Sequence, residues 1–168
     1  MKQNLNAKVE LGCWVLYKIF KTKNIRKVQN DMPITYKKDI IPNSEEINFL
    51  YDDAGFTSYT ENLSLLTDAI KNSLFVVTAW DKGNLVGLAR AVGDGKTIIY
   101  IQDIIVLSYY RRKGIGTNLV KQIIREFPDV RQKVLLADDK PENRKFYESL
   151  GFFSCDDGKL VAFARFDN

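Results

Sequence analysis

The sequence predicts a single mixed α/β (α+β) domain, with a central sheet and about four helices around it. Three observations lead there. The chain has 168 residues, 45% of them hydrophobic and 27% charged, which is enough apolar material for one packed core. Its middle carries three consecutive segments rich in β-branched and aromatic residues, with only short turn signals between them. Segments of helical period flank that meander and interrupt the strands after it.

The first element is a short strand, "ITYKKDII" (34–41). In "NSEEINFLYDDAG", Asn43 or Ser44 serves as N-cap, acids occupy the first turn, and Ile47, Leu50 and Tyr51 recur at helical spacing before Gly55. "TENLSLLTDAIKN" (60–72) predicts a second helix, with Leu63, Leu66 and Ile70 on one face. "LFVVTAW" (74–80), "NLVGLARAVG" (84–93) and "TIIYIQDIIVL" (97–107) then form an antiparallel meander, joined at "DKG" and "GDGK". "GTNLVKQIIREF" (116–127) is a helix that stops at Pro128, and "QKVLLAD" (132–138) is a buried strand. "PENRKFYESLGF" (141–152) is a helix; Asp139 and Glu142 fit a capping box, Pro141 sits in the first turn and Gly151 supplies the stop. "GKLVAFARF" (158–166) is a last strand, paired with "FFSC" (152–155).

Residues 1–31 hold seven Lys/Arg against two Asp/Glu, a net charge of +5, whereas the whole chain carries only +4. The basic character therefore belongs to an N-terminal extension, and residues 32–168 form a near-neutral domain. Such an arm is either a solvated extension or a nucleic-acid contact. The chain has no histidine, which excludes a Ser-His-Asp triad, a Cys-His pair and a HExxH zinc site. Cys13 and Cys155 lie far apart, in no metal or redox spacing, so a reducing, cytoplasmic setting and no metal are expected. No apolar run of about 18 residues is present, so no membrane span is expected.

"YYRRKGIGTNLVKQII" (109–124) raises the functional question. Gly114 and Gly116 let the backbone approach a ligand. The helix behind them offers unpaired N–H groups and a positive dipole end. Arg111, Arg112 and Lys113 add full charges. The combination suits phosphate or pyrophosphate. It is neither a Walker A loop, lacking the terminal Gly-Lys-Ser/Thr, nor a GxGxxG fingerprint, because Leu119 stands at the third glycine. Alone, it reads equally well as a turn with solvated cations.

A second motif decides between these. Arg111 to Gly116 resembles the R/Q-x-x-G-x-G/A loop of the GNAT superfamily of N-acetyltransferases, after a long strand and opening a helix. "NRKFYESLGF" (143–152) is similar to that family's N-x-x-x-Y region, on the next helix. The resemblance covers residues 34–166. It implies the acyl-CoA N-acyltransferase fold, with the fourth and fifth strands splayed, and acetyl-CoA as cosubstrate.

By that resemblance, the loop of Arg111, Arg112, Lys113, Gly114, Ile115, Gly116 and Thr117 holds the pyrophosphate. The backbone of Ile104, Ile105 and Val106 pairs with pantetheine as an added strand would. Asn143, with Phe146 beside it, helps anchor the cofactor. Tyr147 stands where the family often has the general acid that protonates the leaving thiolate. Tyr100, Gln102 and Asp103 are the candidates for the base, Asp103 being the carboxylate; a water chain is the alternative. Alternation puts Tyr100 and Gln102 on one face of the strand and Asp103 on the other. Transfer is direct, within a ternary complex. The acceptor cleft is assigned to the stretch 51–64 and the last two strands; Asp52, Asp53, Phe56 and Tyr59 would receive a cationic small-molecule amine through charge and cation–π contact, the alternative for the two acids being a solvated helix C-terminus. A non-catalytic acyl-CoA sensor and a nucleic-acid module using the basic arm are the competing functions. A homodimer through the last strands is compatible with the family.

Overall fold

A computed structural model describes residues 33–158 and 160–165. The basic extension and Cys13 lie outside the described residues. The elements are β1 (Thr35–Lys38), α1 (Ser44–Ala54), α2 (Thr57–Thr60), α3 (Leu63–Lys71), β2 (Phe75–Asp81), β3 (Asn84–Gly93), β4 (Ile98–Val106), α4 (Ile115–Glu126), β5 (Gln132–Val134) and α5 (Pro141–Glu148). Short 3-10 turns cover Ser108–Tyr110 and Cys155–Asp157.

The strands lie in the order β1-β2-β3-β4-β5. The first four form an antiparallel meander, and β5 is parallel to β4, reached through α4. This is the mixed sheet that the sequence predicts, with one more helix. The extra helix, α2, is a single turn that lies before the predicted segment 60–72 but for Thr60; the helix of that segment starts later than predicted, at Leu63 behind the N-cap Asn62. That side chain accepts from the Leu65 N–H at 3.1 Å and starts α3. At α1, Asn43 is the cap, and a complete box forms. The Asn43 amide oxygen accepts from the Glu46 N–H, and the Glu46 carboxylate from the Asn43 N–H, both at 2.9 Å.

Apolar side chains fill both faces of the sheet. On one face, Ile115, Leu119 and Ile123 of α4 pack against Val77, Ala79, Ala89, Ile99 and Ile101. On the other, Ile47, Leu50 and Tyr51 of α1 and Leu66 and Ile70 of α3 pack against Val76, Trp80, Leu88 and Ile105. Each fully buried Leu or Ile contributes about 1.5–3 kcal/mol. Gly87 sets how close α4 can come. A Cβ there would sit 3.2 Å from Leu119 Cδ1 and 3.1 Å from the Ile105 carbonyl oxygen.

Three expectations need correction. Asp139 does not cap α5. The N-cap is Lys140, with no side-chain hydrogen bond, because Pro141 takes the first helical position, where its missing N–H costs nothing. Asp139 instead accepts from Arg144 Nε at 2.7 Å. Segments 152–155 and 160–165 form no strands, so the described sheet ends at β5. Arg144 explains part of this: its guanidinium also holds Ser154 and Asp156, at 3.2 and 2.8 Å, and fastens the chain after Gly151 to α5 instead of to the sheet edge. Finally, β5 pairs only over Gln132–Val134, against Ile98–Tyr100, and not as far as 138.

Candidate active site

Because β5 leaves β4 after Tyr100 and Val134, no strand among the described residues pairs with the rest of β4 on that side. The splay expected from the resemblance is therefore present. The Leu107 N–H donates to the Val86 carbonyl at 3.0 Å, on the β3 side. Antiparallel strands alternate, so the main chain of Ile105 also faces β3. Its side chain is buried in the core. Of the three residues assigned to pantetheine, Ile104 and Val106 therefore present backbone to the gap and Ile105 does not.

At the end of the gap lies the glycine loop. Gly114 is the N-cap of α4, with φ of 78°. The first hydrogen bond of the helix runs from the Asn118 N–H to the Gly114 carbonyl at 3.0 Å. The N–H groups of Ile115, Gly116 and Thr117 thus have no acceptor from the helix itself. A Cβ on Gly114 would meet nothing within 4 Å, so its bare side opens outward. Gly116 faces Phe146, whose ring lies 3.6 Å from where a Cβ would be, so α5 rests on the start of α4.

The three cations are not equivalent. Arg111 Nε donates to the Val106 carbonyl at 3.1 Å, which ties the loop to the open edge of β4. Lys113 Nζ lies 4.6 Å and 5.0 Å from the ring centroids of Tyr109 and Tyr110. Arg112 adopts φ of 63° and is exposed. Ile115 contributes its N–H alone, its side chain being core.

Across the gap, Tyr147 sits between Phe146 and Phe152, with ring centroids 5.0 Å and 6.2 Å away. Burial raises its pKa above the ordinary tyrosine value, and nearby Tyr100 adds to the effect. It therefore stays protonated at neutral pH, as a proton donor must. Asn143 Nδ2 donates to the Asp138 carbonyl at 3.0 Å, bracing the turn before α5. The pKa of Tyr100 is also raised, chiefly by burial, with the Asp103 carboxylate and Tyr59 adding to it.

The expected orientation of Asp103 needs correction. Leu88 pairs with Ile105 and Arg90 with Gln102, so Ala89 faces two residues, Asp103 and Ile104. This is a β-bulge, with Asp103 at φ of 55°. Alternation fails there. Asp103 turns toward α1, accepting from Tyr51 Oη at 2.8 Å and Arg90 Nε at 2.6 Å. Its side chain is buried and paired with Arg90 on the α1 side of the strand, not on the face that alternation assigns to it. Sequence reasoning missed Arg90 and Tyr51. The signal for Arg90 was a lone cation inside the otherwise apolar "NLVGLARAVG".

Phe56, Tyr59 and Tyr51 form a cluster with centroids 6.1–6.3 Å apart. Asp52 and Asp53 stand behind it, already hydrogen-bonded. Asp53 accepts from the Ser108 N–H and Oγ at 2.6 and 2.8 Å, and Asp52 from Asn48 and Thr60 at 3.0 and 2.7 Å. Among the described residues, no group of three His, Cys, Asp or Glu could hold a metal ion, and no helix is long and apolar enough to cross a membrane.

Comparison with known proteins closes the argument. Residues 36–166 match the acetyltransferase (GNAT) domain. The chain belongs to the GNAT family of acetyltransferases. It is 33% identical to SP0256, a GNAT-family acetyltransferase of Streptococcus pneumoniae TIGR4; the match covers 80% of this chain and 98% of that one, with a TM-score of 0.72. An uncharacterized N-acetyltransferase, ycf52, of Gracilaria tenuistipitata var. liui is 30% identical over 122 residues, 69% of this chain and 65% of that protein. The histone acetyltransferase TAP1 of Glycine max is 33% identical over 103 residues, 54% of this chain and 44% of that protein. The match thus spans less than two thirds of either curated relative. AAC(6')-Iy, solved with a bisubstrate analogue of CoA, shares the fold at a TM-score of 0.64 and 17% identity.

GNAT enzymes take their acetyl group from acetyl-CoA, and the residues present here suit that cosubstrate. Free N–H groups at a helix start, two side chains missing from the loop and adjacent guanidinium groups meet the needs of a pyrophosphate. The open edge of β4 meets those of the pantetheine amides.

Proposed function

We propose that this GNAT domain transfers the acetyl group of acetyl-CoA to the primary amine of a small molecule, by direct attack in a ternary complex. The observation that carries this reading is the gap between β4 and β5, which leads to the bare N-terminus of α4. In this reading Ile104 and Val106 align pantetheine. The N–H groups of the loop and Arg111, with Arg112 and Lys113 adding positive potential, hold the pyrophosphate. Asn143 and Phe146 line the α5 side.

Acetyl-CoA supplies an activated thioester. The chain's own part is to align it with the amine and to protonate the departing sulfur. Tyr147 does the latter: burial keeps its hydroxyl protonated at working pH, so that it has a proton to share with the departing sulfur. The amine loses its proton to water, because the oxygens of Asp103 are already engaged by three donors.

Phe56 and Tyr59 form the acceptor wall, a surface for a cation–π contact, and Asp52 and Asp53 add negative potential behind it. Two cysteines without metal or redox spacing fit a reducing, cytoplasmic setting.

The test is an amine panel with acetyl-CoA, read by free thiol, alongside Tyr147→Phe. Thiol release with basic amines is expected, and a kcat about 10²-fold lower in the variant with acetyl-CoA affinity within about threefold. Background release across the whole panel with acetyl-CoA still bound would replace the enzyme by an acyl-CoA sensor.

A further inference from the structure

Asp52 and Asp53 occupy the last turn of α1, which holds no basic residue. The negative end of the helix dipole lies there, so both acids work against local preference. Tertiary contacts offset this, and each acid has its own. Asp52 Oδ1 accepts from Thr60 Oγ1 at 2.7 Å and fastens α2 to α1. Asp53 reaches across the fold. Its Oδ2 accepts from the Ser108 N–H at 2.6 Å and its Oδ1 from Ser108 Oγ at 2.8 Å.

Ser108 opens the 3-10 turn that carries the chain from β4 into the glycine loop. The N-cap of this turn, Leu107, has no side-chain acceptor, so the cap comes from a helix 55 positions away. A polar residue in place of Leu107 would hold the turn as well. The distant cap also joins two sites. On one side, the Ser108 carbonyl accepts from the Arg111 N–H at 3.3 Å, and Arg111 Nε holds the Val106 carbonyl. On the other, Asp53 stands just before Gly55, whose φ of 83° ends α1 and turns the chain into Phe56 and α2.

That wall is lightly held. α2 is a single turn with no buried side chain and no side-chain cap. Its backbone bonds are at the long end of the range: Tyr59 N–H to the Phe56 carbonyl at 3.1 Å, and Glu61 N–H to that of Thr57 at 3.2 Å. Such an element opens easily, and a small bias shifts its population.

We propose that Asp53 and Ser108 are positioning residues that couple the two sites: a pyrophosphate on the glycine loop steadies the turn at Ser108, and Asp53 passes that restraint to the wall of Phe56 and Tyr59. This rests on the reading of the loop as the CoA site and of the wall as the acceptor's, and it gives Asp53 a task besides its charge. The coupling is reciprocal, so an amine on the wall tightens CoA by the same factor.

Hydrogen exchange with coenzyme A alone tests this, because CoA fills the loop without turnover. In the wild type, saturating CoA is expected to slow exchange over 114–118 and, by about fivefold or more, over 56–61. Ser108→Ala removes the hydroxyl but keeps the Asp53 charge; Asp53→Asn removes the charge. In both, the slowing over 56–61 should shrink to about twofold or less while 114–118 stays protected. Ser108→Thr, which restores a hydroxyl, should respond as the wild type does. Faster exchange over 56–61 in the first two variants, with an unchanged ratio between CoA-bound and free protein, would make the tie purely structural and overturn the proposal. So would a wild type protected at 114–118 but not at 56–61, with the CoA reading left standing. A wild type protected at neither would sink both.

Discussion

Gly114 shows how one residue joins conformation to binding. Its φ of 78° suits a residue without Cβ, and its open side lies where an anion would approach. Gly114→Val therefore has two effects: about 1–2 kcal/mol of backbone strain, and a side chain projected into the ligand's space. Calorimetry should show acetyl-CoA affinity reduced at least tenfold, with a modest fall in melting temperature. Tyr110 carries a different prediction. Burial, and its hydrogen bond to Asp81 at 2.6 Å, push its pKa up to about 12. The folded state thus holds this proton more tightly than the unfolded chain, whose tyrosine titrates near 10. Its stabilising effect is complete below pH 10 and is lost as pH rises through about 12. Tyr110→Phe should flatten the alkaline part of a denaturation-against-pH curve; an identical slope in both proteins would refute the assignment. Asn143 and Tyr147 were legible in the sequence as residues four apart. That Phe152 and Phe146 wall Tyr147 in was not, because Phe152 lies beyond the helix and reaches Tyr147 only after Gly151 turns the chain.

Most elements stand where hydrophobic period and caps put them, since both are local properties. The cap at Asn43 is an example, and Asn43→Ala should cost about 1 kcal/mol, read as a lowered melting temperature. Two of the misreadings share one cause, competition from the Arg144 guanidinium. Asp139 has the right spacing for a capping box, but Arg144 offers it a charged donor and Pro141 moves the helix start. "VAFARF" has strand composition, yet the preceding residues are pinned to α5 by the same arginine. Arg144→Ala should therefore speed hydrogen exchange over 152–158 while leaving the melting temperature nearly unchanged, because exposed ion pairs contribute little. Equal exchange in both proteins would show that other contacts hold this segment. In β4 the alternation rule fails at one residue, the bulge, and everything after it changes face.

At the scale of the fold, the described sheet is filled on both faces and opens between β4 and β5. Leu119 lies under Gly87 and is fully buried, so Leu119→Ala should destabilise the protein by about 2–5 kcal/mol in chemical denaturation. A much smaller loss would mean that α4 can collapse onto β3. The sequence by itself determined the mixed sheet, the start of α1 at its Asn43 cap, the glycine loop and the tyrosine helix, because each is written in spacing along the chain. Only the tertiary structure decided where β5 leaves β4, which backbone groups that exposes, and how Arg90, Asp103 and Tyr51 meet. Those depend on pairings between residues 13 to 52 positions apart, and no local period encodes them.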